Sequence, residues 1–412
     1  MTAQSRLQII FLVAASISLG FICTDIYIPS MPHLPDILKV SDDAIQMTVA
    51  SNLIGAVFSG IFAGTLSDSI GRRPLMLGGL VIFVLGSLLA AWSQDFPSLI
   101  IGRFIQGWGV GIFNVIGTAT IQDLFNERES AKAMARMEVA FTLLPSLAPI
   151  VGAYVHTALG WRHNFYIVAF IALIIFLLSL SMFKESLGKL HTKTSTRWFF
   201  LTRYQQLFKS GIFWRYVSLS PLLYCAEIMV YTVLPFYLSN TFHLAPQAVG
   251  YYISLIILSY ALGSLITPWL LDRLSHDQTI FLSLFLICFS NFFQFLLAFT
   301  GHATLTTVLA FFALHELGMA FLYAPTMSRA FHLFENIKGT ASSIPNILFA
   351  SCAALGAVGA GLLKNNTLVL PTFCLFGTSI IALTLFIYHI LQSKQRSPQN
   401  TNDALVSKEI AS

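Results

Sequence analysis

Five ionisable side chains lie inside long apolar runs, and these have chemistry to offer: Asp25, Arg103, Glu227 and the adjacent pair His315–Glu316. In a low-dielectric site, burial favours the neutral form of a carboxyl, while a neighbouring Arg favours its anion. Poised between the two, Asp25 can exchange a proton for a cationic ligand. A helix-end Asp in contact with water is the plainer alternative. Arg103 falls within the apolar register of its run. An Arg there costs roughly 2.5–3.5 kcal/mol on insertion scales, so it faces a cavity or a partner unless it snorkels to the interface. Glu227, with Tyr231 on the same run, can line the cavity opposite Asp25. His315 and Glu316 are consecutive and point in different directions on a helix, so at most one faces a cavity squarely. A packed polar pair between helices is the alternative reading. Tyr27, Asn52, Tyr224 and Asn346 could touch a ligand, although aromatic and amide groups in bundles more often pack.

The elements that must hold these residues are almost wholly apolar. Of 412 residues, 56% are hydrophobic and 10% charged, against about 25% charged in soluble domains. That deficit excludes an ordinary soluble enzyme and a disordered chain. A span needs about 20 apolar residues. Apolar segments fall at 7–29, 44–66, 74–93, 98–121, 134–156, 164–183, 214–238, 247–270, 278–299, 303–326, 339–361 and 368–391. We therefore expect an all-α membrane protein with 12 transmembrane helices. The first segment continues to Pro29 and more spans follow, so it reads as an uncleaved helix rather than a signal peptide.

With the N-terminus placed inside, 19 Lys and Arg fall in inside segments and 3 (Lys39, Arg162 and Lys364) outside. This asymmetry puts both termini in the cytoplasm and explains the net charge of +5 without nucleic acid. The longest polar interruption divides the chain into an N-terminal six-helix bundle (1–183), a cytoplasmic linker (184–213), a C-terminal six-helix bundle (214–391) and a disordered cytoplasmic tail (392–412). The halves echo one another: Asp25 and Pro32 match Glu227 and Pro235, and Asp68 matches Asp272. Parallel repeats of this kind build secondary transporters whose site lies between the halves. The five cysteines lie far apart within apolar runs, with no metal-ligand spacing. No metal site and no cofactor is expected.

Several motifs refine the reading. Between segments 2 and 3 runs GTLSDSIGRRP, in which Gly64 and Gly71 permit close approach and a tight turn, Arg72 and Arg73 anchor the inner face, and Asp68 can pair with a basic group. Segment 4 carries R-x-x-Q-G from Arg103 and a GxxxG face at Gly107 and Gly111. In segment 5, Pro145, Pro149 and Gly152 interrupt a helix, which a membrane tolerates where neighbours satisfy the freed backbone. These residues, their spacing and their position between spans resemble the major facilitator superfamily.

The resemblance implies the major facilitator fold. It implies a charge latch at Asp68, Arg72 and Arg73 that holds an outward-open state, with Asp123 of QDLF assigned to it. It ties Arg103 to proton coupling with Asp25, and A-P-x-x-G (Ala148–Gly152) to an antiporter helix. TDIYIPSMP (Thr24–Pro32), AIQMT (Ala44–Thr48) and QDLF (Gln122–Phe125) resemble the Bcr/CflA-like drug:proton antiporter branch. Gln122, where that branch usually has Arg, and Gly64-Thr65, where it favours Gly-Pro, depart from its pattern. The resemblance is good over helices 1–6 and general over 7–12.

The expected partners are a small-molecule substrate, protons and the lipid bilayer of a bacterial inner membrane, with the chain a monomer. No phosphate-binding loop marks a nucleotide-driven pump, and no clustered His, Cys or GxSxG marks a membrane enzyme. Export of drugs or amphipathic metabolites leads. Export of one endogenous metabolite or siderophore, and proton-coupled import, are the alternatives.

Overall fold

The computed structural model describes residues 3–124, 127–186, 208–332, 338–363 and 367–409. All its regular elements there are helical. α1 (Ala3–Asp25) leads through a 3₁₀ turn (Ile28–His33) into the short α2 (Leu34–Leu38). Pro29 starts that turn and Pro32 lies within it, where the fixed φ of proline suits a tight bend. α3 (Asp42–Ile70), α4 (Arg72–Trp92), α5 (Phe96–Leu124), α6 (Glu127–Leu159) and α7 (Arg162–Met182) complete the first half. The second half holds α8 (Gly211–Val217), α9 (Leu219–Phe242), α10 (Pro246–Leu271), α11 (His276–Thr300), α12 (Leu305–His332), α13 (Lys338–Gly361) and α14 (Val369–Glu409).

Local chemistry sets several boundaries. Asp42 and Asp43 open α3, where the helix dipole favours negative charge. Exposed Asp95 accepts the Ser98 N–H at 2.9 Å at the start of α5, and Ser98 bonding holds its carboxyl below the usual carboxylate range. A capping box closes the start of α11: Ser275 Oγ accepts from Gln278 N, and Gln278 Oε1 accepts from Ser275 N. Lys39 and His243 both end helices with left-handed φ, of 55° and 51°. Like Asp68 and Asp272, they lie 204 residues apart, so the repeat reaches the backbone.

Among the described residues, eleven helices are long and apolar enough to cross a membrane. The twelfth expected span, 339–361, coincides with the helix α13 (Lys338–Gly361), within which Ile347–Gly361 is apolar among the described side chains. Many large apolar side chains, such as Leu85, Phe170, Leu177 and Phe299, point outward. Water would disfavour that surface, whereas a bilayer accommodates it, with the backbone bonds satisfied inside each helix.

Two expectations need correcting. α6 runs unbroken through Pro145 and Pro149. Gly152 serves close packing instead, because a Cβ there would strike the carbonyl of Ile26. α14 continues to Glu409, so 392–409 is helical backbone rather than a disordered tail. Residues 187–207 of the expected linker lie outside the described residues.

The buried apolar residues form three clusters. One draws only on residues 9–183 and another only on 213–386. The third joins the halves, bringing Tyr27, Met31 and Val49 against Val230, Phe236, Val249 and Ala357. At the end of the molecule carrying Ile28–Leu38, α3 meets α13 and α6 meets α10. A Cβ on Gly361 would stand 2.7 Å from Met47 Sδ, and one on Gly250 would stand 2.5 Å from the Pro149 carbonyl oxygen. At the same end Asn240 Nδ2 donates to Asp42 Oδ2 at 3.4 Å.

Candidate functional site

Arg103 on α5 is fully buried beside the last turn of α1, so it does not snorkel. Its Nη1 donates to the Cys23 carbonyl at 3.2 Å and to Gln106 Oε1 at 2.6 Å. Nη2 donates to Thr24 Oγ1, and Nε to the Thr48 carbonyl, both at 3.4 Å. Its guanidinium carbon lies 5.2 Å from the Tyr27 ring centre and 5.9 Å from that of Phe165, within cation–π range. The last carbonyls of a helix carry partial negative charge. Arg103 therefore neutralises the end of α1 and makes no ion pair with Asp25.

This hub extends through Gln106, whose Nε2 donates to Ser87 Oγ at 2.8 Å. Asn52 Nδ2 donates to the Arg103 carbonyl at 3.1 Å and to Gln106 Oε1 at 3.4 Å. Gly107 lets α3 and α5 approach, since a Cβ there would run into the Asn52 carbonyl. Tyr27 and Asn52, expected to line a cavity, are thus taken up by packing. Tyr27 is fully buried, its hydroxyl 3.2 Å from Thr48 Oγ1 and its ring 5.2 Å from Phe165. Sequence reasoning placed both by residue type, which does not reveal the face of the helix they occupy.

Asp25 ends α1 one residue beyond this hub. It is half-buried and makes no hydrogen bond or ion pair with a described residue. It shortly precedes Tyr27, Ile28 and Met31, which belong to the apolar cluster that joins the two halves.

In the second half α9 and α12 converge. Glu227, His315 and Glu316 are all buried, and their donor atoms lie within 4.8 Å of one another. His315 Nε2 stands 3.7 Å from Glu227 Oε2, beyond hydrogen-bond range. Tyr231 donates its hydroxyl to Glu316 Oε1 at 3.0 Å. Glu227 Oε2 and both His315 ring nitrogens have no hydrogen-bond partner. The consecutive pair was expected to diverge. Instead, a rotation of about 100° per residue lets His315 and Glu316 straddle Glu227 from the neighbouring helix. The Asn346 side chain lies outside the described residues.

At the opposite end, Arg72 Nε donates to Asp123 Oδ2 at 3.0 Å, and Nη1 donates to Ser67 Oγ, tying α3, α4 and α5. Arg73 Nη2 donates to the Leu180 carbonyl at 2.6 Å. Glu185, which sequence reasoning missed, accepts the backbone N–H groups of Arg72 at 2.9 Å and Arg73 at 3.1 Å. A carboxylate on a helix N-terminus is favourable. Gly71 has φ +100°, and a Cβ there would stand 2.5 Å from Glu185 Oε2. Gly64 carries no such demand, since a Cβ would meet Val115 at an ordinary 3.8 Å. The Asp68 side chain lies outside the described residues.

A family sequence model, described as Major Facilitator Superfamily, matches residues 10–357. A Multidrug resistance protein MdtL of Shewanella oneidensis is 27% identical over 364 residues, covering 88% of this chain and 91% of that protein. The MdtL of Klebsiella pneumoniae is 30% identical over 172 residues, 42% of this chain and 44% of its own. Among solved structures, a D-xylose–proton symporter superposes with a TM-score of 0.74 at 16% identity, over 92% of this chain and 97% of its own. The human organic anion transporter MFSD10 superposes with 0.69 at 19% identity, over 94% and 99%. At these identities the two structures speak for the fold alone.

Proposed function

We propose that this chain, which belongs to the major facilitator superfamily and is a multi-pass membrane transporter, is a proton-coupled exporter of small amphipathic molecules. It works in a bacterial inner membrane with both termini in the cytoplasm. Residues 1–183 and 214–391 act as two six-helix bundles that rock about a central site, joined by the cytoplasmic linker 184–213. The name of its MdtL relatives supports export of drug-like compounds. The apolar cluster and the Asn240–Asp42 bond joining the halves at one end, with separate cores elsewhere, support an inward-facing state.

The observation that carries the reading is Asp25. Its half-buried carboxyl has no ion-pair partner among the described residues, while Arg103 is committed to backbone and amide oxygens. Asp25 is left to be neutralised by a proton or a cationic molecule, and the two compete. A proton moving inward gains about 2.3 kcal/mol per 100 mV, and that gain drives substrate outward. Arg103, Gly107 and Gly152 hold the end of α1 in place, and Arg72 with Asp123 and Ser67 ties α3, α4 and α5 together at the cytoplasmic end of the first half, a tie that is made in the inward-facing state and so is not confined to the outward-open one.

Inside-out vesicles with an acid interior and a pH-reporting dye test this. Cationic drugs, neutral antibiotics or carboxylate-rich chelators that are substrates will release protons with wild type and not with Asp25→Asn. Uphill transport by the folded, inserted variant equal to wild type would refute the role of Asp25. Solute-driven proton uptake in place of release would make the chain an importer.

A further inference from the structure

We propose that Glu227, His315 and Glu316 form a binding site for one divalent first-row transition-metal ion, zinc-like in its ligand preference, within the second half. Three observations carry this. The donor atoms of two carboxylates and one imidazole lie within 4.8 Å of one another. Glu227 Oε2 and both nitrogens of the fully buried His315 are unpartnered, and such orphaned buried polar atoms are costly unless something binds them. Neither carboxylate forms an ion pair with an Arg or Lys among the described residues. A divalent ion would bring two carboxylates and a neutral imidazole to zero net charge.

The geometry fits. Donors held tetrahedrally by one ion at about 2.0–2.2 Å lie about 3.3–3.6 Å apart. The 3.7 Å between His315 Nε2 and Glu227 Oε2 is already close to that, and a separation at the 4.8 Å bound closes by about 1.2 Å through side-chain rotation when the ion binds. The imidazole selects a transition metal over magnesium or calcium, which take oxygen donors. Tyr231, donating to Glu316, orients that carboxylate from behind, as partners of metal ligands do. Three protein donors leave a position open for water or an oxygen donor of a small molecule. Sequence spacing hid the site because Glu227 is on α9 and the other two on α12. The inference is independent of the export reading, since binding requires no gradient and no transported substrate.

The test is equilibrium binding to the purified full chain in detergent, stripped of metal. Co²⁺ is titrated by its visible absorption, and Zn²⁺ by competition. We expect one Co²⁺ per chain, displaced by Zn²⁺. Glu227→Gln and His315→Ala should each weaken binding by at least about tenfold, while His302→Gln, in an exposed loop, should leave it unchanged. X-ray absorption of bound Zn²⁺ in wild type should show one imidazole among oxygen ligands, which keeps the test intact should a variant misfold. No saturable binding, or equal binding by wild type and His315→Ala, would overturn the site and leave a proton shared between the two carboxyls as its occupant.

Discussion

Replacing Arg103 with Lys keeps the buried charge and removes the planar fork. The two shorter bonds, to Gln106 at 2.6 Å and to the Cys23 carbonyl at 3.2 Å, are made by one nitrogen in geometry a guanidinium fixes. Lys offers three donors on a single nitrogen and reaches less far. Hydrogen bonds to charged groups contribute about 1.5–3 kcal/mol each. Losing both and recovering one gives a net cost of about 2 kcal/mol, and the bonds at 3.4 Å add little. At roughly 2 °C per kcal/mol, the melting midpoint in detergent should fall by about 4 °C. Cys23 is fully buried and its carbonyl is one of the acceptors, so maleimide labelling at Cys23, read by mass spectrometry, should speed up in the variant. A midpoint unchanged within about 1 °C, with Cys23 still protected, would refute the idea that the fork holds the end of α1.

Other consequences follow from the same contacts. Gln106→Ala combined with Arg103→Lys should be non-additive by about 0.5–3 kcal/mol in a thermal double-mutant cycle, because the two share a bond. Gly71→Ala should lower the melting midpoint, since φ +100° and the nearby Glu185 carboxylate together impose a cost of about 1–3 kcal/mol; Gly64→Ala, with ordinary contact to Val115, should not. Glu185→Gln should cost about 0.3–1 kcal/mol by weakening the negative charge at the start of α4, and added salt should shrink the difference. Gly107→Leu should abolish accumulation of folded protein in the membrane, because α3 and α5 would be forced apart at the Asn52 carbonyl.

What the sequence disclosed depended on how local the physics was. Spans were legible because each helix satisfies its own backbone and needs only length and apolarity. The turn at Gly71 was legible because positive φ is written in the residue itself. Glu185 was not, because its partners Arg72 and Arg73 are distant in sequence and the bonds go to backbone N–H groups. Arg103 announced itself as an anomaly in an apolar run. That it would bind carbonyls rather than Asp25 depended on the register between α1 and α5, which no periodicity states. The convergence of His315 and Glu316 on Glu227 likewise depended on which helix packs beside α12.

The two halves handle buried charge in opposite ways, and the difference bears on which residues can change state. In the first half the permanent cation is immobilised: Arg103 has oxygen partners on α1, α3 and α5, and releasing it would orphan several buried acceptors at once. A group so thoroughly bonded is suited to holding Asp25 in place and poorly suited to leaving its position during a transport cycle. In the second half, two carboxylates and an imidazole crowd together with unpartnered atoms and no fixed cation bonded to them. Asp25 and the Glu227–His315–Glu316 group, in which Tyr231 is bonded to Glu316, are thus buried or half-buried acidic groups without a bonded Arg or Lys among the described residues. If the second group holds a metal ion, removing that ion should alter the pH dependence of transport without abolishing the response to Asp25→Asn. If Asp25 alone carries the coupling, transport by the metal-free and metal-loaded chain should show the same pH profile, and that result would separate the two sites functionally.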